Sequence, residues 1–198
     1  NTTGTNNVAV GSASLDANTT GSHNTALGDY AMSLNTTGQY NVGIGSLTLD
    51  ANTTADGNTG VGYAVLTSNT TGSANTAVGR DSLASNTTAA DNTAVGRYAL
   101  LSNTTGDQNT AVGSTSMDAT TTGRNNTAVG YTSLGANTTG SNNTAMGINS
   151  IASNTTGDDN VGIGDGALYA TTTASGNTAV GKNSLNLNTT GVDNVAIG

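Results

Sequence analysis

The single histidine, His23, is the chain's one side chain of the type most often used as a general acid or base. Ser22 precedes it and Asp29 follows six residues on, so the residue types of a nucleophilic triad occur together. General acid–base work needs a tuned group held against a partner. Their equivalents elsewhere in this repetitive chain vary freely, so the spacing predicts no catalytic residue. Asp158, Asp159 and Asp165 gather in one stretch, as calcium ligands would, but the Gly-Gly-x-Gly-x-Asp nonapeptide of calcium-binding β-rolls is absent. Without Cys there is no thiolate metal site. Gly43-Ile44-Gly45 and Gly162-Ile163-Gly164 lack the following helix that a phosphate-binding glycine loop requires. The sequence predicts no metal, no cofactor and no enzyme.

Two other patterns carry chemistry. Asn-Thr-Thr supplies an N-glycosylation acceptor at Asn1, Asn18, Asn35, Asn52, Asn69, Asn86, Asn103, Asn137, Asn154 and Asn188. Glycans there would line one edge of the molecule. Turn-forming Asn flanked by Thr ladders explains the same residues without any glycan. Thr-x-Thr occurs at Thr120–Thr122 and Thr171–Thr173, and Asn takes the first place in the other copies. A flat face of such Thr/Asn rows could order water, which makes ice binding the alternative function.

What positions these residues is a repeat of 17, kept without insertion or deletion through eleven full copies and a partial twelfth. Such a register is the signature of one structural coil per copy, with coils stacked so that equivalent side chains lie above one another. Residues 1–198 therefore form a single repeat array. The chain begins and stops in mid-pattern, with no atypical capping repeat, and reads as a stretch of a longer fibre.

The columns of the repeat separate fixed from free positions. The seventh is always Asn: Asn7, Asn24, Asn41, Asn58, Asn75, Asn92, Asn109, Asn126, Asn143, Asn160, Asn177 and Asn194. Stacked Asn amides bond to one another in cross-β structures, so this column predicts an Asn ladder. The eleventh is always Gly: Gly11, Gly28, Gly45, Gly62, Gly79, Gly96, Gly113, Gly130, Gly147, Gly164, Gly181 and Gly198. A sharp corner with positive φ is expected there. Thr or Val at position eight and an aliphatic residue at ten, with Ala or Gly between, predict a short half-buried strand. Positions fifteen and seventeen predict a second one. On this reading the rows at ten and fifteen are the core, and the small residue at nine lets a neighbouring chain approach.

Helix is excluded, because the units are rich in Gly, Asn, Thr and Ser and their apolar spacing fits no helical face. The fold class expected is all-β, a β-solenoid or parallel β-roll of about twelve coils. Coils about 4.8 Å apart would give a rod roughly 55 Å long.

The net charge of −8, with only Arg80, Arg97, Arg124 and Lys182 opposing twelve Asp, argues against a nucleic-acid partner. No apolar run is long enough to span a membrane. The thin core argues for self-association as a trimer or a fibre. Tyr30, Tyr40, Tyr63, Tyr98, Tyr131 and Tyr169 all occupy variable positions, where they could make weak contacts to cell-surface carbohydrate.

The units Asn75–Leu83 and Asn126–Leu134, Asn-Thr-Ala-Val-Gly-x-x-Ser-Leu, resemble the head repeats of trimeric autotransporter adhesins. With Asn-Thr-Thr-Gly added, the repeat also looks like repeat regions of bacterial and phage tail-fibre-like surface proteins. The resemblance implies a left-handed parallel β-roll of three chains, an extracellular, cell-surface or virion-surface location, and a structural, adhesin-like role. The adhesin unit is shorter than 17 residues, and no neck, stalk, anchor or chaperone domain occurs within this chain.

Overall fold

A computed structural model describes all residues, 1–198. Each copy of the repeat contributes one three-residue strand at positions eight to ten, from β1 (Val8–Val10) through β2 (Thr25–Leu27) and β3 (Val42–Ile44) to β12 (Val195–Ile197). The twelve strands form one sheet in strict sequence order. Neighbours are parallel and in register with a 17-residue offset, so that Val8 faces Thr25, Ala9 faces Ala26 and Val10 faces Leu27. The chain is a β-solenoid.

The strand faces the opposite way from the sequence expectation. In β2 to β11 the middle residue is buried and its two neighbours are partly or fully exposed. Ala77, Ala94 and Ala111 are fully buried at position nine, whereas Val78 and Val95 at position ten are more than a third exposed. Alternation requires the two parities to face apart. Which parity turns inward is decided by the far wall of the coil. There the residue at fifteen (Met32, Leu49, Leu83, Leu100, Leu134, Ile151) points in and fills the interior, leaving room opposite for Ala or Gly alone. Size compensation is visible at two glycines of position nine. A Cβ on Gly162 would lie 2.6 Å from Cγ1 of Ile151, the one β-branched residue in the fifteenth column, and a Cβ on Gly60 would lie 2.7 Å from Cγ2 of Thr48.

The second strand expected at fifteen to seventeen is absent. Positions thirteen and fifteen have left-handed backbones, as in Ala13 (φ 50°) and Leu15 (φ 54°), and this recurs in every full copy, with Gly166 taking position thirteen once. Alternate left-handed residues coil the segment too tightly for a strand. Its amides still bond from coil to coil: Leu15 N–H donates to Ala31 O at 3.0 Å and Ala17 N–H to Ser33 O at 3.0 Å. A non-glycine residue in that region costs on the order of 1 kcal/mol. Each coil offsets this with ladder hydrogen bonds on both sides.

Position fourteen completes the interior. Its Ser hydroxyls donate to the strand carbonyl of the next coil, as from Ser82 to Ala94 at 3.1 Å and from Ser133 to Ala145 at 3.0 Å.

Candidate functional site

The invariant Asn of position seven lies at the strand's entrance and is buried from Asn24 to Asn177. Its Oδ1 accepts the backbone N–H of the next Asn in the column, as from Asn92 to Asn75 at 3.0 Å and from Asn109 to Asn92 at 2.9 Å. Its Nδ2 donates to the carbonyl of position four of the following coil, as from Asn92 to Gly106 O at 2.9 Å. In several coils Nδ2 also reaches the preceding Oδ1, as from Asn143 to Asn126 at 3.2 Å. Each amide therefore ties its own coil to the next, and in those coils where Nδ2 also reaches the preceding Oδ1 it ties together three.

Position one forms a second buried column, and this corrects the picture of an exposed, glycosylatable edge. Asn18, Asn35, Asn52, Asn69, Asn86, Asn103, Asn137 and Asn154 are at most 1% exposed. Each Nδ2 is spent internally: Asn35 Nδ2 donates to Asn18 Oδ1 at 2.9 Å and to Gly38 O at 3.1 Å. A glycan needs that nitrogen and needs space beside it. The folded coil provides neither. Only Asn1 and Asn188, in the end coils, have partial or full exposure. Burial also removes Asn from the Thr/Asn face considered for ice binding, since Thr120 and Thr171 of the same column are buried too.

The second column is interrupted where Thr replaces Asn. Asn103 Oδ1 would receive its bond from position 120, but Thr120 offers none, and Asn103 Oδ1 is a buried oxygen without a partner. At the second interruption, Thr171, the preceding Asn154 Oδ1 is satisfied by Gly157 N–H at 3.1 Å.

The eleventh-position glycines all have φ between 120° and 144°. They also stack almost in contact: a Cβ on Gly147 would lie 2.6 Å from both the carbonyl carbon and oxygen of Gly164. Two independent reasons therefore require Gly at this corner, backbone conformation and backbone approach.

The remaining candidates are scattered. His23 stacks flat on Tyr40 of the next coil, ring centroids 5.0 Å apart. Ser22 Oγ accepts Thr5 N–H and donates to Thr20 O, so it is turned to the backbone and not to His23. Asp158 accepts Ser141 N–H and Asp159 accepts Asn142 Nδ2, while Asp165 lies 3.4 Å from Lys182. No three His or Asp side chains converge as metal ligands. Burial pushes the Asp118 carboxyl above the usual carboxylate range, with hydrogen bonds from the Asp118 and Ala119 backbone opposing the shift.

The feature that sequence reasoning placed in the interior is the outer face of the sheet. Thr or Val at position eight and Val, Leu, Ile or Met at position ten look outward along twelve strands, and no charged residue occurs at eight, nine or ten in any copy. The signal was present at position nine, where only Ala and Gly occur. A column that admits nothing larger is one facing a filled interior.

Comparison with protein-family models, curated proteins and solved structures returned no match. No helix is long and apolar enough to cross a membrane.

Proposed function

We propose that the chain is a structural rod, a segment of an extracellular adhesin-like or tail-fibre-like fibre, whose copies associate through the outer face of the sheet. The observation that carries this reading is the charge-free Thr-x-Val face on a chain of net charge −8. Exposed apolar side chains run along it, including Leu27, Val78, Val95, Met146 and Ile163. Contiguous apolar surface of this kind marks contact with another molecule. The likeness of the Asn-Thr-Ala-Val-Gly unit to adhesin head repeats supports the same role.

Size sets the strength of the contact. A face about 55 Å long and about 10 Å wide offers roughly 550 Å² per copy, below the ~800 Å² per partner of a standard interface. One such face makes a weak pair. Three faces closed around an axis, or a longer array, make a stable assembly, so association should strengthen with the number of coils.

Sedimentation equilibrium tests this directly. The unmodified chain should form a defined oligomer, and Lys at Val78, Val95 and Val112 should give monomers with unchanged far-UV circular dichroism. A monomer at high concentration without the substitutions would sink the proposal. Ice binding remains the second reading, moved from the Asn-Thr-Thr edge to this face, because its Thr and aliphatic rows form a regular flat grid. Shaping of growing ice crystals that the same Lys substitutions abolish, on a chain that stays monomeric throughout, would favour it.

A further inference from the structure

A cluster of cationic and aromatic side chains lies past the Gly corner, at positions twelve and thirteen of the fourth to sixth coils. Tyr63, Arg80 and Arg97 occupy position twelve of three successive coils, with Asp81 and Tyr98 beside them. Two of the chain's four cationic side chains therefore stand one above the other, about 4.8 Å apart at the backbone, in a protein of net charge −8. Only one carboxylate sits between them.

That carboxylate holds one arginine and leaves the other free. Arg80 Nε donates to Asp81 Oδ2 at 2.9 Å. The Asp81 side chain is 19% exposed and lies beneath, while the Arg80 side chain is 60% exposed. The bond uses the inner nitrogen and leaves the outer edge of the guanidinium, with its pair of parallel donors, facing solvent. The Arg80 guanidinium carbon is 5.8 Å from the centre of the Tyr63 ring, and that of Arg97 is 4.6 Å from the centre of the Tyr98 ring. Arg97 has no carboxylate partner. Tyr63 and Arg80 together line an open cleft of about 420 Å³.

We propose that this cleft binds an acidic sugar ring, a pyranose carrying a carboxylate. The free edge of Arg80 matches a carboxylate with two parallel hydrogen bonds. Tyr63, half-exposed with the Arg80 guanidinium 5.8 Å over its ring, offers the uncovered part of that aromatic surface to the sugar, and unpaired Arg97 on the adjacent coil relieves its repulsion from Arg80 when an anion enters. An isolated phosphate or sulfate would use the arginines and ignore the tyrosine. The aromatic wall selects a ring with an acid on it. The columns themselves supply a control: Tyr131 also stands at position twelve, but between Ser114 and Ile148. The site lies off the strand face, so it does not depend on how copies associate.

The test is a titration of the full chain with glucuronate, glucose and inorganic phosphate at low salt, followed by the side-chain NMR signals of Tyr and Arg. Glucuronate should bind in the millimolar range and shift the signals of Tyr63 and Arg80 but not Tyr131. Glucose should bind about tenfold more weakly, as expected when a charge-assisted pair is lost. Arg80→Gln should remove the preference for glucuronate over glucose, and Arg97→Gln should weaken glucuronate alone. Tyr63→Ala should weaken glucuronate and leave phosphate unchanged. Equal affinity for glucose and glucuronate, phosphate binding as tight as glucuronate, or equal shifts at Tyr131 would each overturn the assignment. All three substitutions fall in variable columns, and retained circular dichroism confirms that the coil is intact.

Discussion

Replacing Gly147 with Ala probes the corner on which the whole register depends. Its φ of +133° lies in a region that L side chains rarely adopt, a strain of about 1–3 kcal/mol. The new methyl would also stand 2.6 Å from the Gly164 carbonyl and 3.1 Å from Asp165 N, so backbone must move. That movement threatens the bonds from Gly147 N–H to Val129 O, 2.8 Å, and from Gly164 N–H to Met146 O, 2.7 Å. Each is worth about 1 kcal/mol net. The expected loss is about 3–5 kcal/mol. Because a stack is held by nearest-neighbour interfaces, the coils on either side of the break should also uncouple. Gly57→Asn is the control: Gly57 has φ +67° with nothing within 4 Å, and Asn6, Asn125 and Asn142 already hold that column at similar angles. It should change stability by less than about 0.5 kcal/mol. Urea unfolding followed by circular dichroism reads both, with a lower midpoint and a shallower slope expected for Gly147→Ala alone. Two variants with the same midpoint would refute the argument that backbone approach sets the corner.

Thr120→Asn should repair the interrupted column by giving Asn103 Oδ1 a donor, adding about 1–3 kcal/mol; Thr171→Asn, where the neighbouring oxygen is already bonded, should add less. A gain at 171 equal to that at 120 in the same unfolding assay would contradict the repair. Asp118 has a folded pKa raised above its ordinary 3.8, so between those two values the folded state holds more protons than the unfolded one. Stability therefore falls as pH rises through that window and the penalty is complete above it. Asp118→Asn should raise the melting temperature at pH 7 and leave it unchanged well below pH 3.8, where both states are protonated, and a gain of equal size at both would show that the carboxylate is not its source.

The repeat, its 17-residue register and its all-β character were legible because they follow from composition and periodicity alone. So was the special nature of the seventh and eleventh columns, since nothing but Asn or Gly occurs there. The direction of the strand was harder to read, because its one signal, the Ala/Gly column at nine, competed with the aliphatic column at ten. Thr-Ala-Val alternates under either parity, and the aliphatic residue at ten pointed to the wrong one. The exposed reading of Asn-Thr-Thr failed for a related reason: a turn motif says how the chain bends, and does not say which side of the bend faces inward.

By itself, the sequence determined that this chain stacks into a rod, because a strict repeat of short apolar segments buries its residues only against copies of itself. The tertiary structure alone decided what the rod's faces present. The interior is narrow. Once Leu or Met at fifteen fills it, only Ala or Gly fits at nine, Asn columns at one and seven line the remaining walls, and the Val row is turned out to solvent. Those choices depend on the space between two walls of one coil, which is fixed only when the column at nine is set against the column at fifteen.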